Sequence, residues 1–574
     1  MRLLTPILVC LAIGRAAAQP LASSASAPPT VTDPSTGVTF QGNLSSGIES
    51  FFNIRFGKDT SGANRFALPI AFKYPPKTVV NASTFGADCP QAVTTGIFAT
   101  DITTMSEDCL TLRIDRLGNT PTDAKLPVMI WLFGGGFTSG TIYDENYDPT
   151  GLLKTAQANG SPVIYAALNY RLNLFGFASS PALNDSLNAG LYDQRLGMKW
   201  INENIHLFGG DANNITVFGQ SAGAISIGHH ISAFGGEKPV YFHRAIMESG
   251  MSTTFAGTTG NICDTHTQNV AQKVNCTLQN SEMQLECLRA VPLNTLLPIV
   301  SKYELSINPS ALAIWQPIAP SRFIPHAPSQ LIKSGRFHKN IDIINGWNEN
   351  DGTVFIQSNI ANDTAVVEVV TYPASLDSAT SSELLSLYPI SAYAPVKDGD
   401  DTATAHFFQA AQMWRDFQFT CPALLLDQAM ANRSTASTKM YLYAMNTTLF
   451  TPLFEKANES FLGVAHGSEI PFVFDTVPAD LVATTAQTQL GSAMSASWSA
   501  FASSGNVELG SLALKGWTES FQGKASAFEV MIMGGPNNGM TSVSAGGQGV
   551  LESEDLIQRC AFWNSENVLH QMQT

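Results

Sequence analysis

The segment most directly suited to chemistry is Gly219-Gln220-Ser221-Ala222-Gly223. A strand-like apolar run over residues 215–218 precedes it, and a helix-like run begins at Ala222. A strand-to-helix turn of this kind projects the serine hydroxyl from the carboxyl edge of a sheet, where it can attack a carbonyl carbon. The small flanking residues are needed because the tight turn packs backbone against backbone. We therefore predict Ser221 as the nucleophile of an acyl-transfer reaction, with an ordinary glycine-rich turn as the alternative interpretation.

Acyl transfer also needs hydrogen-bond donors for the negative charge that develops on the carbonyl oxygen. A glycine triplet follows the apolar run 126–133, in the order Phe133-Gly134-Gly135-Gly136-Phe137. Glycines let backbone amides point into a cavity with no side chain in the way. We predict the amides of Gly135, Gly136 and Ala222 as the donors. A phosphate-binding loop is the alternative, but neither a Gly-Lys-Ser/Thr ending nor dinucleotide-binding spacing supports it.

A nucleophilic serine needs a general base, and ten histidines compete for that role. His229 and His230 lie on the helix after the nucleophile, about 12 Å along it, and are expected to point away. His466 stands in a loop-like segment after a strand and well after Ser221, the chain order of nucleophile, acid and base that accompanies this turn. We predict His466 as the base, with a surface histidine as the alternative.

The third group should be a carboxylate that orients the imidazole. The segment after the strand-like run 341–344 is Asn348-Glu349-Asn350-Asp351-Gly352-Thr353. Its two carboxylates, Glu349 and Asp351, are both chemically able to fill this role.

These residues need a scaffold, and the apolar pattern indicates an α/β fold. Near-continuous apolar runs suit strands buried on both faces, and they alternate with helical stretches at 197–205 and 222–231. We predict a large, mostly parallel central sheet flanked by helices in one compact domain. The predicted strands are 126–133, 162–168, 215–218, 341–344 and 439–443.

The composition excludes some classes of partner. The chain has 574 residues, of which 44% are apolar and 13% charged, so it can bury a large core and global disorder is not expected. Its net charge is −15. Nucleic acids and anionic membrane surfaces select basic patches, so neither is an expected partner. The sequence shows no cluster of metal-ligand type, and we expect no metal and no organic cofactor.

The N-terminal residues resemble an export signal. Arg2 is followed by a short apolar run and by three alanines that suit cleavage after residue 18. We predict a signal peptide over residues 1–18, a flexible mature N-terminus over 19–36 and the folded domain over 37–574. No stable membrane anchor is expected, because the apolar run is too short to span a bilayer and the last residues are too polar for a lipid-anchor signal.

Two further sequence features fit export. Seven cysteines follow the predicted signal, so at least one thiol is free or paired between chains. Asn-x-Ser/Thr sequons mark ten candidate glycosylation sites, of which we expect only some to carry glycan. They are Asn43, Asn81, Asn159, Asn184, Asn214, Asn275, Asn362, Asn432, Asn446 and Asn458.

Taken together, these segments resemble the type-B carboxylesterase/lipase family of the α/β-hydrolase fold, which includes cholinesterases, fungal lipases and bile-salt-activated lipase. The resemblance covers nearly the whole mature chain. Besides the nucleophile motif and the glycine triplet, it rests on Phe85-Gly86-Ala87-Asp88-Cys89-Pro90-Gln91, Ser106-Glu107-Asp108-Cys109-Leu110, Asn169-Tyr170-Arg171, Gly190-Leu191-Tyr192-Asp193-Gln194-Arg195, Phe208-Gly209-Gly210-Asp211 and His466-Gly467-Ser468-Glu469.

The resemblance implies further assignments. The family places its catalytic acid immediately before a Gly-Thr or Gly-Ser pair, which selects Asp351 over Glu349, although most members have Glu there. Ser249 resembles a serine that lies close to the family's triad. Three disulfide bonds and two structural ion pairs are also implied. They are Cys89–Cys109, Cys276–Cys287, Cys421–Cys560, Arg65–Glu107 and Arg171–Asp193, which leave Cys263 as the odd thiol.

The predicted function is a secreted serine carboxylic ester hydrolase that acts on a small-molecule ester through an acyl-enzyme on Ser221. In the family's lipases the loop that matches residues 90–108 is longer and forms a lid, and in cholinesterases it carries a tryptophan that holds choline. The loop here is short and has no tryptophan, which favours soluble esters. A lipase or sterol esterase with the same triad is the first alternative, and a non-catalytic binding protein is the second. The sequence leaves the oligomeric state open.

Overall fold

The structure, a computed structural model, describes residues 27–574 apart from 94–101, 103, 279, 308–313, 399–400, 434–437, 522–526, 545–550 and 552–553. The predicted signal peptide lies outside the described residues, and so does much of the loop between Cys89 and Cys109.

The described strands follow in chain order. They are β1 (Thr30–Thr32), β2 (Thr39–Gln41), β3 (Asn43–Ser45), β4 (Ile48–Arg55), β5 (Val79–Asn81), β6 (Thr111–Leu117), β7 (Leu126–Leu132), β8 (Ile164–Leu168), β9 (Gly210–Gln220), β10 (Arg244–Glu248), β11 (Asp342–Asn348), β12 (Val396–Asp398), β13 (Asp401–Ala403), β14 (Met440–Met445), β15 (Ala527–Met533) and β16 (Gly539–Ser544).

Eleven of these strands form the central sheet, in the spatial order β16-β15-β14-β11-β10-β9-β7-β8-β6-β4-β3. The pairs from β8 through β15 are parallel, and the strands at both ends are antiparallel. All residues of β8 and of β14 are buried, as expected where helices cover both faces of a parallel sheet. β9 lies near the middle, between β7 and β10, so its carboxyl end opens at the centre of the sheet edge.

The described helices lie between the strands and after them. They are α1 (Thr150–Ala158), α2 (Asn173–Phe177), α3 (Ala189–Asn204), α4 (Ala222–Ser232), α5 (Ile262–Lys273), α6 (Ser281–Ala290), α7 (Leu293–Ile307), α8 (Pro328–Ser334), α9 (Asp363–Thr371), α10 (Ser378–Leu387), α11 (Ala405–Arg415), α12 (Cys421–Ala431), α13 (Thr451–Ala457), α14 (Ile470–Val473), α15 (Thr485–Ser504), α16 (Leu556–Trp563) and α17 (Glu566–Gln571).

The five predicted strands correspond to β7, β8, β9, β11 and β14. The predicted helix 222–231 falls within α4, and the predicted helix 197–205 runs one residue past the end of α3. The prediction for the N-terminus was wrong at one end. Residues 30–32 form β1, which pairs with β2 in antiparallel register, so the segment predicted to be flexible over 19–36 extends too far. Val31 is buried between exposed threonines, an alternation of only three residues within a polar stretch.

Three disulfide bonds join the pairs that the family resemblance implied: Cys89–Cys109, Cys276–Cys287 and Cys421–Cys560. Cys263 is free and buried, and burial raises the pKa of its thiol to about 12. None of the described helices combines the length and apolar character needed to cross a bilayer.

The sequons differ in how accessible their asparagines are. Asn159 is buried, its amide nitrogen donates to the carbonyl of Leu509 at 2.8 Å, and its oxygen accepts from the amide of Leu512 at 3.0 Å. A glycan on Asn159 would break these contacts, so the folded chain has no room for one there. Asn214 and Asn446 are half-buried. The exposed candidates are Asn43, Asn81, Asn184, Asn275, Asn362, Asn432 and Asn458.

Candidate active site

Ser221 stands at the turn between β9 and α4 with φ 55° and ψ −124°, a backbone conformation that L-residues rarely adopt. Its amide donates to the carbonyl of Glu248 on the neighbouring strand at 2.9 Å. A side chain at Gly223 could not fit, because its Cβ would lie 1.9 Å from the carbonyl oxygen of Leu132. The small residues of the motif thus allow a strained turn that presents the serine at the sheet edge.

The glycine triplet forms a loop beside Ser221. Gly135 and Gly136 have φ of 94° and 60°, and a Cβ on Gly135 would lie 2.2 Å from the carbonyl oxygen of Ser139. Within the described structure, the amides of Gly135, Gly136 and Ala222 donate to no protein acceptor. Ala222 opens α4, where the amides of the first turn have no partner within the helix. These free donors suit a developing negative charge, which the helix N-terminus also favours.

His466 and Asp351 are hydrogen-bonded. His466 Nδ1 lies 2.8 Å from Asp351 Oδ1, the carboxylate is fully buried, and the imidazole side chain is 11% exposed. The hydroxyl of Ser249 donates to Asp351 Oδ2 at 2.8 Å, and the backbone amide of Asn348 donates to the same oxygen at 2.7 Å. These contacts fix the carboxylate so that it accepts from Nδ1, which makes Nε2 the imidazole nitrogen that carries the basic lone pair.

His466 Nε2 contacts Gln220, the residue before Ser221. Gln220 Nε2 lies 3.1 Å from His466 Nε2. Within the described residues, Ser221 Oγ makes no hydrogen bond to the imidazole. Serine and histidine thus lie at the same sheet edge without a hydrogen bond between them.

Glu349, the other candidate acid, lies outside this arrangement. Its backbone carbonyl accepts from Arg415 at 3.2 Å, and the described residues give it no hydrogen bond to His466. Burial, with a smaller contribution from Glu554, raises the pKa of its carboxyl. It lines a cavity of about 290 Å³ together with Tyr393 and Gln412.

The two histidines on α4 are packed in the core. His229 and His230 are buried, and desolvation lowers the pKa of His229 to about 3. His230 Nε2 lies 3.1 Å from Gln194 Oε1 on α3.

Aromatic rings enclose His466, and sequence reasoning missed them. The ring of Phe419 stacks on the imidazole with centroids 4.8 Å apart and planes 22° apart, and Phe355 meets the imidazole edge-on at 5.1 Å. Phe419 lies on a π-helical turn, Asp416–Thr420, and such turns occur often at functional sites. Trp414 stacks on Phe355 at 5.6 Å and extends this apolar wall.

The π-helical turn is held by a buried charge network. Arg415 bonds Asp416 at 2.8 Å and Glu554 at 2.5 Å, and Tyr388 donates to Asp416 at 2.8 Å. The disulfide bond from Cys421 to α16 follows directly after the turn. No short motif marks this arrangement, because its parts are far apart in the sequence.

Two more carboxyls, those of Glu469 and Glu248, are buried behind Asp351 and His466. We predicted no role for either of them from the sequence. Asn348 donates to Glu469 Oε2 at 2.6 Å, and Trp498 donates to Glu248 Oε1 at 2.8 Å. Burial and then the nearby Asp351 raise the pKa of Glu469 to about 7, against an opposing effect of His466. Burial and then Glu469 raise the pKa of Glu248 well above its usual range. Glu469 stands three residues after His466, and Glu248 stands directly before Ser249. Only this closeness in the sequence points to a link between these two glutamates and the site.

The two ion pairs implied by resemblance are formed and buried. Arg65 bonds Glu107 at 2.6 Å, and Arg171 bonds Asp193 at 2.7 Å. The residues described contain no group of His, Cys, Asp and Glu side chains that could hold a metal ion.

The chain is similar to known proteins over nearly its whole length. Residues 36–538 match the sequence model of the carboxylesterase family. The chain is 35% identical over 566 residues to a secreted lipase of Arthroderma benhamiae, covering 96% of this chain and 97% of the lipase. It is 37% identical over 511 residues to an inactive carboxylesterase-like protein of Byssochlamys spectabilis, covering 86% of this chain and 87% of that protein.

A solved structure shares the fold. The crystal structure of Aspergillus niger EstA superposes with a TM-score of 0.76 at 23% sequence identity, covering 96% of this chain and 99% of EstA. This confirms the predicted α/β-hydrolase fold.

Proposed function

The chain belongs to the carboxylesterase family, and we propose that it is a serine carboxylic ester hydrolase with Ser221 as nucleophile, His466 as base and Asp351 as acid. The observation that carries the proposal is the 2.8 Å contact between His466 Nδ1 and Asp351 Oδ1. It leaves the basic nitrogen of the imidazole facing the sheet edge at which the strained turn presents Ser221.

The proposed reaction begins with acylation. His466 Nε2 takes the hydroxyl proton as Ser221 Oγ attacks the ester carbonyl carbon, and the carbonyl oxygen gains a negative charge. The amides of Gly135, Gly136 and Ala222 stabilise that charge. When the tetrahedral intermediate collapses, the bond to the alcohol oxygen breaks and His466 returns the proton to the alcohol.

Deacylation repeats these steps with water as the nucleophile. His466 takes a proton from the water, the acyl carbon is attacked, and the bond to Ser221 Oγ breaks as the serine is reprotonated. Asp351 holds the imidazole in the tautomer that both steps require. The steps need no metal and no organic cofactor.

Within ester hydrolysis we favour soluble esters over lipid interfaces. The support is the short segment between Cys89 and Cys109, which offers less apolar cover than a lipase lid. Nine of its 19 residues, 94–101 and 103, lie outside the described residues. Relatives named as lipases keep a lipase or sterol esterase as the alternative. Short- and long-chain p-nitrophenyl esters, assayed below and above micelle formation, separate the two. A jump in rate at the interface contradicts the preference for soluble esters.

A non-catalytic role is the second candidate, because one relative is named an inactive carboxylesterase-like protein. Against it stand the Asp351–His466 contact and the free amides beside Ser221. Covalent labelling of Ser221 by an organophosphate discriminates between the two. We also propose that the protein is secreted, supported by the N-terminal signal pattern, the three disulfide bonds and relatives named as secreted lipases.

A further inference from the structure

The side chains of Gln220 and His466 contact each other through their Nε2 atoms, and only one direction of hydrogen bonding is possible between them. His466 Nδ1 must carry the proton when the imidazole is neutral, because it lies 2.8 Å from the carboxylate of Asp351. Nε2 then has a lone pair and no proton. The amide nitrogen of Gln220, 3.1 Å away, carries two protons and accepts nothing, so it must be the donor.

The Gln220 side chain is buried between the end of β9 and the glycine triplet. It is 4% exposed and extends from the end of β9, whose backbone pairs with β10 at Glu248. On its far side it packs against the glycine triplet, where a Cβ on Gly134 would lie 2.9 Å from Gln220 Oε1. The absence of a side chain at Gly134 therefore leaves the space that the amide group occupies.

We infer that Gln220 caps the base in the resting enzyme and that catalysis requires the cap to turn. This inference rests on the proposed function. While the amide donates to Nε2, the lone pair is not available to the proton of Ser221. Once His466 is protonated, Nε2 becomes a donor and faces an NH₂ group, which repels it. Rotation of the amide would place Oε1 toward Nε2–H, where it could stabilise the imidazolium until the alcohol takes the proton.

The charged groups around His466 are few, so a change at Gln220 should be measurable. The loop after β11 contributes Asp351, the residue before α14 is Glu469, and the end of β10 contributes Glu248 behind them. Asp416 of the π-helical turn is paired with Arg415. The oxyanion loop, residues 133–140, has no charged side chain. Gln220 makes the described polar contact on the Nε2 side.

The test is the acid limb of the pH dependence of kcat/KM on p-nitrophenyl acetate, which reports the protonation of the base in the free enzyme. Gln220→Glu places a carboxylate beside Nε2, favours imidazolium and should move the limb to higher pH by about one unit or more. Gln220→Met removes the donor that favours the neutral base and should move the limb the same way by a smaller amount. An unchanged limb in both variants overturns the cap.

Gln194→Met is the matched control. Gln194 is also buried and also contacts a histidine, His230, at 3.1 Å, but it lies on α3 away from the site. The acid limb of kcat/KM for Gln194→Met should coincide with that of the unmodified protein. A limb that moves equally in Gln194→Met would also overturn the cap, because the shift would then follow from any lost Gln–His contact.

A second measurement covers variants that fail to fold. In a high-resolution crystal structure of the unmodified protein, Gln220 Nε2 should lie within hydrogen-bonding distance of His466 Nε2. A Ser221–His466 hydrogen bond with Gln220 turned away contradicts the cap. Stoichiometric reaction of Ser221 with an organophosphate shows separately whether the proposed function holds, so the two failures are distinguishable.

Discussion

His466 Nδ1 and Asp351 Oδ1 lie 2.8 Å apart, although the acid here is one methylene shorter than the glutamate usual in the family. Contacts from Ser249 and the backbone amide of Asn348 hold the short carboxylate in place. Asp351→Asn should therefore lower kcat by about 10⁴-fold, because an amide selects the wrong imidazole tautomer. Glu349→Gln, the matched control two residues away, should change kcat by less than a few-fold. The measurement is kcat for ester hydrolysis by both purified variants. A larger loss of kcat in Glu349→Gln than in Asp351→Asn would reassign the acid to Glu349.

The Phe419 ring stacked on His466 should contribute to activity beyond its contribution to stability. Phe419→Leu keeps an apolar side chain but removes the flat ring at 4.8 Å, so we expect kcat to fall about tenfold with little change in KM. Phe417→Leu on the same turn is the control, since Phe417 is equally buried but packs on Trp563. Both should lower the melting temperature similarly. Equal losses of kcat would mean that only the folding of the turn matters.

Gly135→Ala should damage the oxyanion loop. Its φ is 94° and the added Cβ would lie 2.2 Å from the carbonyl oxygen of Ser139, so the backbone must move. Displacing one donor amide should cost about 10²-fold or more in kcat. Gly160→Ala is a fair comparison, because Gly160 also has a positive φ of 75° but its Cβ would meet no atom within 4 Å. Full activity in Gly135→Ala would exclude this loop as the oxyanion site.

The buried carboxyl of Glu469 should make stability fall as pH rises. Burial raises its folded-state pKa to about 7 from a usual value of 4.5, so the folded state holds a proton that the unfolded state has lost between these two pH values. Stability is then fully present below about pH 4.5 and declines toward pH 7.

Glu469→Gln should remove this decline, which we expect to be on the order of 1–3 kcal/mol. The measurement is the free energy of unfolding by urea at pH 5 and at pH 7, with the exposed Glu455→Gln as control. A pH slope that is identical in Glu469→Gln and in the unmodified protein contradicts the assignment.

Local sequence predicted the parts of the site that local geometry determines. The turn at Ser221 and the glycine triplet need small residues at fixed spacing, so both can be recognised from the sequence. Asp351 and His466 are 115 residues apart, and reasoning from residue types alone left Glu349 equal to Asp351. Resemblance to a family selected Asp351.

What the sequence did not predict depends on tertiary contacts. Phe419 reaches His466 only because a π-helical turn is held by Arg415, Asp416 and a disulfide bond to α16. The contact between Gln220 and His466 likewise depends on how two distant segments meet. The sequon at Asn159 is typical of an exposed glycosylation site. In the structure, however, the Asn159 side-chain amide forms hydrogen bonds with the backbone of Leu509 and Leu512. The strand at residues 30–32 is too short for its alternation of buried and exposed side chains to be recognised from the sequence.

The most direct test of Ser221 as nucleophile is active-site titration with diethyl p-nitrophenyl phosphate. The unmodified protein should release one equivalent of p-nitrophenol, lose its esterase activity in parallel and carry the diethylphosphoryl group on the peptide that contains Ser221. Ser221→Ala should release none and hydrolyse no ester above background. A folded, unmodified protein that neither takes the label nor exceeds Ser221→Ala in ester hydrolysis would contradict the account.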